Sequence, residues 1–309
     1  MTIKYFLSSP TEELWPRFEE RVIMGATCIS LQEKDRDPTV FRIKGTDNVI
    51  KLGPHVHEGE YKALCLLFAQ GIPVPEPLRF GVDPDTGFYY IRMRYVEGER
   101  LTDVWDVLDQ AERETVLSQL GDVVVRMRKN TASYIGSLDR TICNDNFLAA
   151  PFQPTSPSTF NGPIELDMNG SPGTPRDHDV FLERQWYGPF NDNKDFIEKG
   201  IIHYLRARGR YEQSTELVVQ MIRALPDSPG PYVFTHGEVA PDNILVKDSK
   251  VVAILDWNQA GYYPEYWEYV KAHFWQYENC HQVDHDIDTI LEPHFSELSI
   301  LLHAKRIIW

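Results

Sequence analysis

Nine consecutive residues, Thr235-His236-Gly237-Glu238-Val239-Ala240-Pro241-Asp242-Asn243, gather an imidazole, two carboxyls and an amide. Groups of this kind move protons or hold cations. The next stretch, "ILVKDSKVVAILDW", has two apolar, β-branched runs flanking Lys247-Asp248-Ser249-Lys250, which predicts a hairpin pairing 244–246 with about 251–254. Asn243 and Asp256 lie far apart along the chain, yet such a hairpin returns them to the same end of its ladder, where strands are about 4.8 Å apart. An amide oxygen and a carboxylate there suit Mg²⁺, with waters and substrate phosphates completing the shell. A plain hairpin with polar ends fits the same residues, and the hairpin alone leaves both readings open.

The elements that would carry these groups are legible from pattern. Residues 11–22 follow a capping-like Ser9-Pro10-Thr11-Glu12-Glu13 and predict a short helix. "ATCISL", "TVFRIK" and "NVIKLG", separated by polar turns, predict three antiparallel strands. "EGEYKALCLLFAQ" (58–70) predicts a helix with Tyr61, Leu64, Cys65 and Phe68 on its apolar face, closed by Gly71. Prolines keep "IPVPEPLRFG" extended, and "GFYYIRMRYVEG" predicts a further strand. Beyond Gly98 the pattern turns helical. Asp109-Gln110-Ala111-Glu112 resembles a capping box, and Val116, Leu117, Leu120, Val123, Val124 and Met127 mark one face. Six of the 21 prolines fall between 151 and 175, so 144–190 is expected to be irregular. Helices resume at 193–225, 265–278 and 285–308, with the single hairpin between.

Composition narrows the function classes. At 309 residues the chain can bury a substantial core split over two lobes. The net charge of -15 and the absence of a Lys/Arg run exclude a phosphate-tracking nucleic-acid binder. The N-terminus lacks an apolar signal region, and the longest apolar run, "ALCLLFA", is too short to cross a bilayer. The four cysteines show no CxxC spacing. A soluble cytoplasmic protein with reduced thiols and no membrane partner is therefore expected. Oligomeric state, monomer or homodimer, leaves no signature.

His236-Gly237-Glu238, Asn243 and Leu255-Asp256-Trp257 resemble the catalytic and metal loops of the aminoglycoside phosphotransferase/choline kinase-like superfamily, in the form common in fungi. "AGYYPEYWEYVKA", "NVIKLGPHVHEGEYKALCLL", "IPVPEPL", "IRMRYVEGERL", "SYIGSLD" and "GPF" (188–190) extend the likeness in the family's order over most of the chain. The resemblance implies an α+β, bilobal, protein-kinase-like fold. Residues 1–96 would be a small antiparallel N-terminal nucleotide lobe with one helix, and 97–309 a larger, mainly helical catalytic and substrate lobe. It implies ATP and Mg²⁺ as cofactors and a small-molecule hydroxyl as acceptor. Lys51 would bind phosphate oxygens, oriented by Glu60, and Arg94 and Val96 would offer backbone groups to adenine. Asn243 and Asp256 would hold the metal, and His236 would brace the loop.

Glu238 stands where the family has the aspartate that accepts the hydroxyl proton. Its extra methylene shifts the carboxylate by about 1 Å unless the loop adjusts, a displacement that can cost on the order of 10²-fold in rate. Three readings follow: a phosphotransferase, a pseudokinase that binds nucleotide or a metabolite, or an enzyme using Glu238 for non-phosphoryl acid/base chemistry. "LQEKDRDPTV" lacks the glycine-rich phosphate loop, a motif that members of the superfamily often lack. His55 with His57, and Cys280-His281 with His285-Asp286, are ligand-rich pairs without a second cluster to complete a tetrahedron.

Overall fold

A computed structural model of the chain describes residues 20–31, 39–140, 143–145, 147, 188–208, 212–279, 286 and 288–308. Most of the expected 11–22 helix lies outside this set. Its last residues, 20–22, are strand instead, part of β1 (Glu20–Ile23). Arg21 and Val22 pair with Cys28 and Thr27 of the next strand, and that ladder overrides the helical reading.

The described residues divide into two compact units, one formed within 20–123 and 240–258, the other within 124–239 and 259–308. The first is built on a six-stranded antiparallel sheet. It comprises β1, β2 (Ala26–Ser30), β3 (Thr39–Ile43), β4 (Asn48–Leu52), β5 (Pro77–Val82) and β6 (Tyr89–Arg94), in the order β1-β2-β3-β4-β6-β5. Successive strand residues face opposite sides, so Phe41, Ile43 and Ile50 join Ile23, Cys28 and Tyr90 in one cluster. Lys51, adjacent to Ile50, points to the other side of the sheet.

Helix α1 (Glu58–Ala69) follows the sheet's central strand. Leu67 accepts from Ile72 N–H and Phe68 from Gly71 N–H, and Gly71 sits at φ +67, so the helix ends in a Schellman motif. Its buried face is Glu60, Ala63, Leu64 and Leu67, whereas Phe68 is exposed. The apolar stripe read from sequence is thus turned about the axis. Glu60, expected to orient Lys51, is on the buried face.

The hairpin forms as β10 (Ile244–Lys247) and β11 (Lys250–Ile254), with Ile244 opposite Ile254 and Leu245 opposite Ala253. Asp248 and Ser249 both take positive φ, as a two-residue turn of matching twist requires. The hairpin gains a third strand, β7 (Glu99–Arg100). Beyond the short α2 (Leu101–Val104), helix α3 (Gln110–Met127) starts in a reciprocal capping box. Glu112 N–H donates to Asp109 and Asp109 N–H to Glu112, each at 2.9 Å. Glu112 also accepts from the Ser249 hydroxyl at 2.8 Å, and Gln119 bonds the Ser249 carbonyl and the Val251 N–H. The hairpin turn is therefore clamped by the helix.

The second unit is more than helices. β8 (Thr131–Ala132), β9 (Tyr232–Thr235) and β12 (Gly261–Tyr263) form a three-stranded sheet that the sequence reading missed. Strands of two to four residues carry too little alternation to be seen. Helical segments span Asn193–Arg208, with a π-helical stretch Phe196–Ile202, then Glu212–Arg223, Trp267–Asn279 and Phe295–Ile308. The last starts later than expected, just past Pro293, because a proline disfavours helical backbone in the residue before it. Phe196, Leu205, Val218, Trp267, Val270 and Leu301 belong to its core. No helix of the described residues is long and apolar enough to cross a membrane.

Candidate active site

Within the first unit, Lys51 joins two carboxylates from distant parts of the chain. Its Nζ donates to Glu60 Oε1 and to Asp256 Oδ1, both at 2.7 Å. β4 places Lys51, the first turn of α1 places Glu60, and the end of β11 leads to Asp256. The Lys51 and Glu60 side chains are 7% and 2% exposed, while that of Asp256 is 34% exposed. Burial alone would pull the Lys51 ammonium down, but the carboxylates of Asp256 and Glu60 outweigh it and hold it well above the ordinary lysine range. Lys51 is thus a fixed point charge, with two of its three donors engaged.

Asn243 and Asp256 flank the end of the hairpin. Asn243 closes a 3₁₀ turn, Pro241–Asn243, in which its N–H donates to Ala240 C=O at 2.9 Å. Its own carbonyl accepts from Leu255 N–H at 2.7 Å, the last backbone bond before Asp256. Asp256 takes φ +60, a left-handed conformation that Asp tolerates better than most residues and that turns the chain out of the strand. The second acid of the opening stretch, Asp242, pairs instead with Arg100 at 3.4 Å.

Of the two expected adenine contacts, Arg94 ends β6 and Val96 lies just past it. Tyr95 N–H donates to Asp47 C=O, so the neighbouring Asn48–Arg94 pair is a non-hydrogen-bonded one and Arg94's backbone groups face away from β4. Arg94 N–H is taken by Glu76 C=O at 2.9 Å, which leaves the carbonyl as the group Arg94 can offer. Val96 makes no backbone–backbone hydrogen bond among the described residues. His55 is exposed, while His57 bonds the Asn258 carbonyl through Nε2 at 2.7 Å. Among the described residues no group of three or more His, Cys, Asp and Glu could hold a metal ion by itself. Asn243 and Asp256 offer two oxygen ligands only, a donor set that fits Mg²⁺ whose shell is completed by phosphates and water. Of the Cys280–Asp286 group only Asp286 is described, and most of the Leu31–Val40 stretch also lies outside the described residues.

Glu238 belongs to the second unit, in a loop following β9. His236 is fully buried, and its Nδ1 accepts from the Glu238 N–H at 3.1 Å, which puts its proton on Nε2. The His236 and Gly237 N–H groups both donate to the buried Glu268 carboxylate, at 2.6 and 3.0 Å. Burial pushes the Glu268 carboxyl above its ordinary range, and the two backbone donors and the Arg128 and Lys271 charges pull it back. Glu268 lies in the first turn of the Trp267–Asn279 helix, so that helix anchors the loop.

The Glu238 carboxylate accepts from Gln259 Nε2 at 2.6 Å. Gln259 Oε1 accepts from Lys271 Nζ at 2.9 Å, and Lys271 also donates to Asp145 at 2.9 Å. Asp145 further accepts from Trp267 Nε1 and from Phe147 N–H, each at 2.8 Å. Gln259, Lys271, Asp145 and Glu268 were not singled out from the sequence. The signal available was two charges, Glu268 and Lys271, inside the aromatic run "YWEYVKAHFW", where a helix this apolar buries them.

Gly237 matters twice. Its φ is +81, and a Cβ there would lie 3.1 Å from both Gln259 Cβ and the Gln259 carbonyl. Gly237→Ala is expected to cost more than the roughly 1 kcal/mol of a strained backbone alone, because the Gln259 backbone cannot yield. A lowered Tm together with slower turnover checks it; a Tm equal to wild type contradicts the close approach.

Searched against curated proteins, the chain has no significant match. Solved structures give its fold. It resembles the apo form of a thermostable mutant of aminoglycoside phosphotransferase APH(4)-Ia with TM-score 0.56 and 16% identity, covering 96% of this chain and 87% of that one. It resembles a putative aminoglycoside phosphotransferase from Ralstonia eutropha JMP134 with TM-score 0.52 and 16% identity, covering 92% and 77%. A variant of the first enzyme, in ternary complex with ADP and hygromycin B, matches with TM-score 0.50 and 15% identity over 96% and 86%. Likeness at such identities carries the kinase-like fold alone. A family model described as the phosphotransferase enzyme family matches residues 32–298, most of the 309 residues, and the chain belongs to that family, APH.

Proposed function

We propose that this protein transfers the γ-phosphoryl group of Mg·ATP to a hydroxyl of a small molecule. The observation that carries the reading is the buried Lys51 ammonium, held at 2.7 Å by both Glu60 and Asp256. A lysine this buried and doubly paired retains its charge at any working pH, and its third donor suits a phosphate oxygen. Glu60 fixes the direction of the ammonium. Arg94 C=O and the Val96 backbone would take the adenine edge.

Asn243 and Asp256 would hold the magnesium ion, which when bound offsets charge on the phosphoryl group in flight. Glu238 accepts the acceptor's hydroxyl proton on its carboxylate and orients the oxygen for attack. In a loose, metaphosphate-like transition state the base mainly orients, so the extra methylene of glutamate is tolerable if its carboxylate is held in place. The acceptor class draws on the family and on relatives named as aminoglycoside phosphotransferases, one of them bound to hygromycin B.

A second reading, a nucleotide-binding protein without transfer, is favoured by one feature, glutamate in the aspartate's position. The two separate in one assay. Mg·ATP is supplied with a panel of hydroxylated small molecules that includes hygromycin B and choline, and ADP and phosphorylated product are read together. Acceptor-dependent product supports transfer. Stabilisation by Mg·ATP, expected to reach about 2.7 kcal/mol at a hundred times Kd, without product from any acceptor favours the second reading. No stabilisation at millimolar nucleotide contradicts both.

A further inference from the structure

We propose that Gln259 is a positioning residue for Glu238, and that the buried Lys271–Asp145 ion pair fixes the direction in which its amide donates. This rests on the proposed role of Glu238 as base.

An amide can present either end to a neighbour, so its orientation has to be set by what surrounds it. Here the choice is forced. A lysine ammonium has three donors and no acceptor, so the Gln259 atom facing Lys271 must be the oxygen. The NH₂ then faces Glu238, whose ionised carboxylate only accepts. The reversed amide would set donor against donor and acceptor against acceptor.

Lys271 is itself held. Its partner Asp145 has both oxygens satisfied, by Phe147 N–H and Lys271 on Oδ1 and by Trp267 Nε1 on Oδ2. Trp267 and Lys271 are four apart on one helix, so a single face of that helix delivers both donors to Asp145. The Lys271 and Asp145 side chains are 3% and 0% exposed. A pair this deeply buried pays heavily in desolvation, and apolar residues of similar volume would serve stability as well. Orientation is what apolar residues could not supply.

The arrangement also answers the extra methylene. The glutamate carboxylate is fixed by a short bond at its far end, to Gln259, while its N–H is fixed at the near end, to His236. Side-chain length and tether are matched.

The test uses the full chain and two variants, with ADP formation from Mg·ATP as the readout and the best acceptor of the panel, or water, as nucleophile. Gln259→Glu keeps the size of the side chain and an acceptor for Lys271. It replaces the donor to Glu238 by a second carboxyl, which either repels the base or shares its proton. Gln259→Leu removes both bonds. Each is expected to lower kcat roughly 10²-fold, the scale of a misplaced catalytic group, with the KM for ATP unchanged. In a Glu238→Gln background neither should lower kcat further, because the effect runs through Glu238. Wild-type kcat in Gln259→Glu, or an equal loss in both backgrounds, overturns the proposal.

If the wild-type protein forms no ADP, the transfer reading fails separately, and crystal structures of wild type and Gln259→Leu decide the positioning claim. A displaced or multiply placed Glu238 carboxylate in the variant upholds it; a carboxylate in its wild-type position overturns it.

Discussion

Lys51→Met is expected to abolish measurable phosphoryl transfer and to destabilise the protein at the same time. Removing one preorganised charge from a phosphoryl-transfer site costs on the order of 10²–10³-fold in kcat. The stability loss has a different source. Glu60 is 2% exposed, and without Lys51 its carboxylate is left buried with no counter-charge. Breaking one side of a buried pair costs about 3–5 kcal/mol. Asp256, a third exposed, can regain water and adds little to that penalty. Lys51→Met/Glu60→Gln removes the stranded charge, so it should recover most of the lost Tm and none of the activity. Denaturant unfolding and ADP formation on the single and double variants check both halves. If the double variant is no more stable than the single one, burial of Glu60 is not what Lys51 offsets.

Lys271→Met is expected to produce a comparable loss of stability within the second unit. Asp145 loses its charge partner while its side chain is fully buried, and a cost of about 3–5 kcal/mol follows by the same reasoning. Its bonds to Trp267 and Phe147 N–H remain and limit the loss. Gln259 loses the contact that orients it, so a folded remainder should turn over slowly even at temperatures where it stays native. Unfolding by urea gives the first quantity, and kcat measured well below the transition gives the second. Lys271→Met/Asp145→Asn should restore stability but not the rate, since the amide of Gln259 is again free to turn. A Lys271→Met protein with wild-type stability would contradict the buried-pair account.

Much of the fold was legible because local chemistry and global structure agree. The alternating strands between Ala26 and Leu52, the Schellman end of α1 at Gly71 and the Asp109–Glu112 capping box are local signals that the tertiary structure leaves intact. The hairpin and its turn were legible too, although a bulge shifts the register by one residue between Leu245 and Val246. What escaped was set by long-range contact. Lys51 and Asp256 meet across 205 positions, and nothing in either local sequence states that distance. The buried face of α1 was read one step round the helix, from Tyr61, Leu64, Cys65 and Phe68, because apolar spacing does not mark Glu60, which the Lys51 charge draws inward. Lys271 and Glu268 lie within the aromatic run "YWEYVKAHFW", which does not itself name their partners. Buried charged residues are identified by their partners, and those partners, Asp145, Gln259 and the His236–Gly237 backbone, come from three separate segments.

Glu238 gathers these threads, since its residue type was the main departure noticed in the sequence and its tether was invisible there. The measurement that bears on it most directly is single-turnover transfer from Mg·ATP to the best acceptor, compared between the wild-type protein and Glu238→Asp. Shortening the side chain by one methylene pulls the carboxylate away from Gln259, which holds it at 2.6 Å. The expected result is that the wild-type protein transfers phosphate and Glu238→Asp transfers it more slowly, with Mg·ATP affinity unchanged. Transfer that is absent in the wild-type protein and appears in Glu238→Asp would contradict the account and identify a kinase fold whose base had been withdrawn.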